Sequence, residues 1–181
     1  MTIFLLALGA VAAGTGMMYN RLVRLRNQSE SAWADIDVQL KRRYDLIPNL
    51  VETVKGYASH ERDTLEAVIT ARNRAMHATG PADQAQAENM LTGALKSLFA
   101  LSEAYPQLRA VEGFTSLQGS LESIERDVQN ARRYYNAVVR DFNTATEQVP
   151  SNLVANAFRF EKQEFFELVD EAAREAPKVE F

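Results

Sequence analysis

From Phe114 to Val149 the chain sets down an apolar residue every three or four positions without a miss: Phe114, Leu117, Leu121, Ile124, Val128, Ala131, Tyr135, Val138, Phe142, Ala145 and Val149. A period of 3.5 held over five heptads puts these side chains on one seam of a helix, and the seam can be buried only against a partner helix in coiled-coil-like packing. Leu22, Leu25, Ser29, Trp33, Ile36, Leu40, Tyr44, Ile47, Val51 and Val54 keep the same spacing, with Ser29 the one non-apolar member. Gly56 is a stop for this first helix. Ser59, with Glu61 and Asp63 after it, suits the start of a second helix running to about Thr79. Gly80 and Pro81 then supply a stop and a restart. A third helix carries Ala87, Leu91, Ala94, Leu98, Leu101 and Tyr105 and ends near Pro106. No stretch alternates with period two, so strands are not expected. The predicted fold is all-α: an antiparallel four-helix bundle of long helices over residues 20–149, followed by a short C-terminal helix.

Ahead of the bundle, "IFLLALGAVAAGTGMMY" runs from Ile3 to Tyr19 without a charge. As a helix it would extend roughly 26 Å, at the short limit for a membrane span. A cleaved secretory signal is the main rival, because Ala10-Val11-Ala12 has the small-x-small form of a cleavage site. No Lys or Arg precedes the run, and its strongest block, Ile3 to Leu8, is short. A buried helix could be equally apolar, but Gly9, Gly14 and Gly16 weaken a helix in water and are tolerated better in lipid. An uncleaved single-pass anchor over residues 1–19, in contact with the lipid bilayer, is the first reading and a cleaved signal the second. Arg21, Arg24 and Arg26 follow the run, and by the positive-inside rule they place the bundle in the cytoplasm.

Composition removes several classes of function. There are 20 basic and 24 acidic residues, and the last 21 residues hold seven acids and three bases, so the tail accounts for the whole net charge of −4. The rest is balanced, without the positive excess of a nucleic-acid binder, and no nucleic-acid partner is expected. Zero cysteines exclude disulfides, thiolate metal sites, cysteine nucleophiles and a lipidated cysteine. A di-iron bundle needs Glu-x-x-His pairs on two helices, yet His60 follows Tyr57 at that spacing and His77 follows Arg74. "HERDT" begins like a zinc-protease helix but has Thr64 where the second histidine belongs. Both histidines read as surface or loop residues, and Glu122 with Glu125 as ordinary helix-surface acids. Phosphate-binding loops, a nucleophile elbow and a dinucleotide fingerprint are all missing. No catalytic residue, cofactor or metal is expected.

The stretch "QLKRRYDLIPNLVETVKGYA" sets basic residues and a proline inside an amphipathic helix. Gln39, Arg42, Arg43 and Asp45 flank the apolar stripe, where a bundle neighbour could pair with them. As helix-surface charge, Asp45 near Arg42 forms a pair worth about 0.2–0.5 kcal/mol. Pro48 cannot donate to the carbonyl of Tyr44 and its ring crowds that turn, so a kink is expected there, with freed carbonyls that arginine can satisfy. The alternative, Arg42 and Arg43 gripping an acidic partner or lipid headgroup, is weaker, because neighbours on a helix diverge by about 100°. After Pro150, Ser151 can cap a short helix, and Phe158, Phe160, Phe165 and Phe166 crowd together. They imply a segment folded back onto the bundle or, second, a docking peptide for another protein or a further copy. The acidic end beyond Glu167 is expected to be mobile.

The stretch "YNRLVRLRNQSESAWADIDVQLKRRYDLIPNLVETVKGYASHERDTLEAVITAR" resembles the LemA family, as do "ALSEAYPQL", "YYNAVVRDFNTA" and "VPSNLVANAFRFEKQEFF". The resemblance covers residues 19–166 in order. It implies one N-terminal membrane segment and long antiparallel helices, no established catalytic activity, and association with membrane proteases or other membrane proteins; one branch is tied to building bacterial magnetosomes. The family's most recognisable positions fall on Tyr19, Asn20, Gln39, Arg42, Arg43, Asp45, Leu46, Pro48, Asn49 and Leu50, then Tyr135, Asn136, Asn143, Pro150 and Ser151. Together the residues and the resemblance point to a membrane-anchored, non-catalytic helical scaffold or adaptor of the bacterial envelope, binding other proteins or copies of itself. The alternatives are a ligand or metal sensor in the bundle core and a regulatory partner of a membrane protease. Candidate structural or partner-contact positions are Gln39, Arg42, Arg43, Asp45, Pro48, Asn49, Tyr135, Asn136, Phe158, Phe160, Phe165 and Phe166.

Overall fold

The structure, a computed structural model, describes residues 1–168. Most of the acidic tail expected to be mobile lies outside the described residues. Six helices follow one another: α1 (Thr2–Lys55), α2 (Arg62–Met76), α3 (Gly80–Glu103), α4 (Pro106–Arg109), α5 (Glu112–Glu147) and α6 (Ser151–Ala157). Among the described residues there is no strand. The expected all-α fold with long helices is therefore observed, with the single turn α4 as an addition. It arises where Pro106 cannot continue α3 but is well suited to the first turn of a new helix.

Helix ends follow local chemistry. α1 stops at Lys55, just before Gly56. At Gly80 the backbone takes φ +77°, a left-handed conformation that costs glycine little, and Pro81 follows in the first turn of α3. Two expected caps differ. α2 starts at Arg62 with Glu61 as its N-cap residue, beyond Ser59. Ser151 opens α6, but its hydroxyl donates back to the carbonyl of Gln148 at 2.9 Å, satisfying the end of the preceding turn instead of capping its own helix.

The chain forms two compact units. The first joins Met1–Arg42 with Ile124–Phe165. Within it α1 and α5 run antiparallel, since residue numbers fall along α5 as they rise along α1. Leu22 shares a core cluster with Phe142 and Ala145, the Trp33 and Tyr135 rings meet edge-on at 5.3 Å, and Arg42 faces Asp127 at 3.9 Å. Along the α5 seam every predicted position from Phe114 to Ala145 is buried or half-buried. Val149 is 80% exposed, because α5 has already ended at Glu147. Ser29, the odd member of the α1 stripe, is buried with its hydroxyl bonded to the carbonyl of Arg26 at 2.7 Å, which lets a polar side chain occupy a core position.

After α6 the chain is extended and strapped onto α5. The Asn143 amide accepts from the backbone N–H of Gln163 and donates to its carbonyl, both at 2.9 Å, while Tyr135 donates to the carbonyl of Glu164 at 2.9 Å. Burial raises the Tyr135 hydroxyl to about 12, so it remains a donor across the physiological range.

The second unit takes Arg43–Ser123 together with Phe166. Here the end of α1, α2, α3 and the start of α5 meet. α2 and α3 form a hairpin closed by an ion pair of Arg74 with Asp83, and Phe99 of α3 meets Phe114 of α5 edge-on at 6.2 Å. Tyr105 reaches Glu61 at the head of α2.

The first sixteen residues of α1 lie outside both cores. An 18-residue window within α1, near the N-terminus, has mean hydropathy 1.7 and none of it is buried, which removes the buried-helix reading of this segment.

Phe142 is fully buried in the first unit's core. Phe142→Ala should destabilise the protein by about 3–5 kcal/mol, whereas Val149→Ala should change stability by less than about 0.5 kcal/mol; denaturant titration of both variants in the same detergent checks the difference.

Candidate functional site: a buried polar cluster

Pro48 leaves the carbonyl of Tyr44 without its helical donor. α1 nevertheless runs through Pro48 to Lys55, and the missing bond is supplied by another helix: Arg72 Nε of α2 donates to the Tyr44 carbonyl at 2.8 Å. An arginine does answer the proline, as expected of such a freed carbonyl, but it comes from α2 and not from the basic run beside it.

One position earlier on α1, Arg43, expected at the edge of the core where a bundle neighbour could pair with it, is only 4% exposed and lies inside. It lies in the core because its partner is there. Arg43 Nη1 donates to Glu88 Oε2 of α3 at 2.8 Å, and Nη2 to the Thr92 hydroxyl at 3.0 Å. The Tyr44 hydroxyl donates to Glu88 Oε1. Gln84 Nε2 lies 2.9 Å from that hydroxyl, 3.2 Å from Glu88 Oε1 and 3.2 Å from the carbonyl of Ala75 on α2. The carboxyl group, bonded on both oxygens, thereby ties α1 to α3, and the Gln84 amide extends the cluster to α2.

Burial of Glu88 pushes its carboxyl above the ordinary 4.5, against the pull of the Arg43 charge and the donors from Tyr44, Gln84 and Arg43. The Tyr44 hydroxyl is likewise raised, by burial and then by the neighbouring Glu88, and stays a donor. A carboxyl group sealed from solvent and already bonded on both oxygens holds helices together; it presents no face to a substrate or an ion. Among the described residues no group of three or more His, Cys, Asp or Glu is placed to hold a metal.

The other candidate positions are dispersed. Arg42 is exposed and donates to Gln39 Oε1 at 2.8 Å as well as facing Asp127, so the Arg42–Arg43 pair points two ways. Asp45, Pro48 and Asn49 are exposed, and Asn136 is half-buried. Tyr135 is core. Of the four phenylalanines Phe166 is fully buried and Phe160 half-buried, packed against Phe142 and under the Arg26 guanidinium, while Phe158 and Phe165 remain exposed. The fold-back reading of this segment describes its contacts in the first unit. Sequence reasoning missed Glu88, Gln84, Thr92 and Arg72. The signal was present: buried positions on α3 run 84, 88, 91, 95, 98 and 102, the same three-four spacing begun on polar residues.

An all-helical chain with one N-terminal helix long and apolar enough to cross a membrane, and a core polar cluster used for packing, defines a membrane-associated helical protein. The chain belongs to the LemA family: the model of that family matches residues 32–181. It is similar to magnetosome protein MamQ 2 of Paramagnetospirillum magneticum, 24% identical over 193 residues, covering 92% of this chain and 71% of the relative. It is also similar to magnetosome protein MamQ of Magnetospirillum gryphiswaldense, 23% identical over 192 residues with the same shares of 92% and 71%. Protein LemA of Metamycoplasma hominis is 25% identical over 140 residues, 75% of this chain and 63% of that one.

Two measurements test the cluster. Arg72→Ala should cost about 1–3 kcal/mol by stranding the Tyr44 carbonyl, and Pro48→Ala should abolish most of that cost by restoring the helical donor; a double-mutant cycle in denaturant reads the coupling. Glu88→Ala, which strands Arg43, should cost about 3–5 kcal/mol, and Arg43→Met with Glu88→Leu should recover most of it. Because the folded chain holds the Glu88 proton more tightly than the unfolded chain, the stability from this group is full below the ordinary 4.5 and declines as pH rises through the elevated value. That decline should be missing from the Tm-against-pH profile of Glu88→Gln.

Proposed function

We propose that this chain is a non-catalytic scaffold or adaptor of the bacterial envelope, anchored through residues 1–19, with residues 20–149 and the C-terminal segment on the cytoplasmic side. It acts by holding other proteins or further copies of itself at the membrane. The observation that carries this reading is the continuity of α1: one helix begins as an uncovered apolar rod and, without a break, becomes a striped packing helix. A separate mobile tether is not built in. The magnetosome proteins among the relatives support reading the chain as part of an assembly. Against a ligand or metal sensor in the core stands the Glu88 cluster, whose oxygens are already engaged by the protein.

Two charges placed in the apolar run, Leu6→Arg with Leu8→Arg, cost about 2.5–3.5 kcal/mol each at a bilayer centre. They should move the protein from the membrane fraction to the soluble fraction. Ser59, exposed between α1 and α2, becomes a unique thiol as Ser59→Cys in this cysteine-free chain. An impermeant maleimide should label it only after the cells are permeabilised. Labelling of intact cells would reverse the orientation and direct the search for partners to the outer side.

A further inference from the structure

We propose that the turn between α5 and α6, with Phe158, sits in the headgroup region of the bilayer that α1 enters, giving the protein a second membrane contact beside its anchor. The proposal rests on the reading of the apolar start of α1 as a membrane span. α6 is held at the level where that apolar run ends: Val154 and Ala155 share one cluster with Leu22, Phe142 and Ala145, and Met18 packs against it. The Tyr19 ring lies 4.7 Å from Phe158 and 5.8 Å from Phe160. Because α5 runs antiparallel to α1, the chain beyond Ala145 advances toward the apolar run, and Val149 is four residues further along.

At this level the protein leaves large apolar side chains uncovered. Val149 is 80% exposed, Leu153 67% and Phe158 56%. Such a patch on a water-facing surface calls for an occupant. Phe158 meets α1 through the ring of Tyr19, itself 37% exposed, so the patch touches the helix where its apolar run ends. An aromatic and aliphatic edge at the end of a span is the composition found at bilayer interfaces. Arg159, between the two phenylalanines, takes φ +56°, a left-handed backbone that turns the chain so that both rings reach Tyr19. Arg159 is exposed, as are Arg21 and Arg24 in the turns of α1 that follow Tyr19, and exposed guanidinium groups attract anionic headgroups.

Single cysteines at Leu6, Val38, Val149 and Leu153 of the full chain, each carrying an environment-sensitive fluorophore, test this after reconstitution into phosphatidylethanolamine–phosphatidylglycerol vesicles. Nitroxide groups are placed at shallow or deep acyl positions of the lipid. Val38, as exposed as Phe158 but roughly 29 Å along α1 from Tyr19, is the control. The expected result is deep quenching at Leu6 and shallow quenching at Val149 and Leu153, several-fold stronger than at Val38. Quenching at Leu6 with Val149 and Leu153 as wet as Val38 would overturn the proposal and leave the anchor standing. A blue shift at Leu153 that rises with protein density and is insensitive to lipid nitroxide would also overturn it, in favour of a second copy on the patch. An unquenched Leu6 would remove the anchor and the proposal together.

Discussion

The interior of the second unit depends on one carboxyl group taken out of water. A buried Glu is tolerated only when donors surround it, and Glu88 recruits them from three other side-chain types on two helices: Arg43 and Tyr44 on α1, Gln84 one turn away on α3. Directional bonds of this kind have little slack. A one-turn slip of α1 past α3, which an apolar stripe would accept at modest cost, would leave both Arg43 and Glu88 buried without partners. The cluster thus contributes register more than net stability. Arg72 adds a further constraint, because the carbonyl it satisfies exists only where Pro48 has removed its helical donor.

Much of this fold was legible from spacing. Apolar periodicity located four long helices, and Gly56, Gly80 and Pro106 marked their ends, because helix propagation and interruption are local physics. Side-chain exchange between helices is not local. Arg43 falls on the three-four spacing of Ile36, Leu40 and Ile47 and Arg42 does not, but its charge hid that position; one is core and the other faces Asp127 from the surface. The difference lies in Glu88, 45 residues away. The same blindness applied to Gln84 and Glu88, whose polarity hid two core positions of α3. The phenylalanines divided for a similar reason: Phe160 finds Phe142 and Arg26, while Phe158 meets the ring of Tyr19 and stays exposed.

The polar cluster of the second unit is satisfied within the protein, and the uncovered apolar surface lies elsewhere, at the end of the first unit. At one end α1 is uncovered and apolar, and Val149, Leu153 and Phe158 around α6 are exposed as well. The strap of residues 163 and 164, held by Asn143 and Tyr135 through main-chain bonds, reads backbone and not side chains. It therefore tolerates variation in what residues 163 and 164 present outward while keeping their path.

The unbroken course of α1 has a mechanical consequence. Between Tyr19 and Arg42 there is neither Gly nor Pro, and the antiparallel α5 stiffens the same stretch. About 35 Å of helix separates these two residues, so a lean of about 10° at the membrane displaces Arg42 sideways by about 6 Å. A bilayer that thins, thickens or curves changes the lean of the helix it holds. With α1 anchored as proposed, the first unit would act as a pointer, turning a change of lean at the bilayer into a change of position at Arg42.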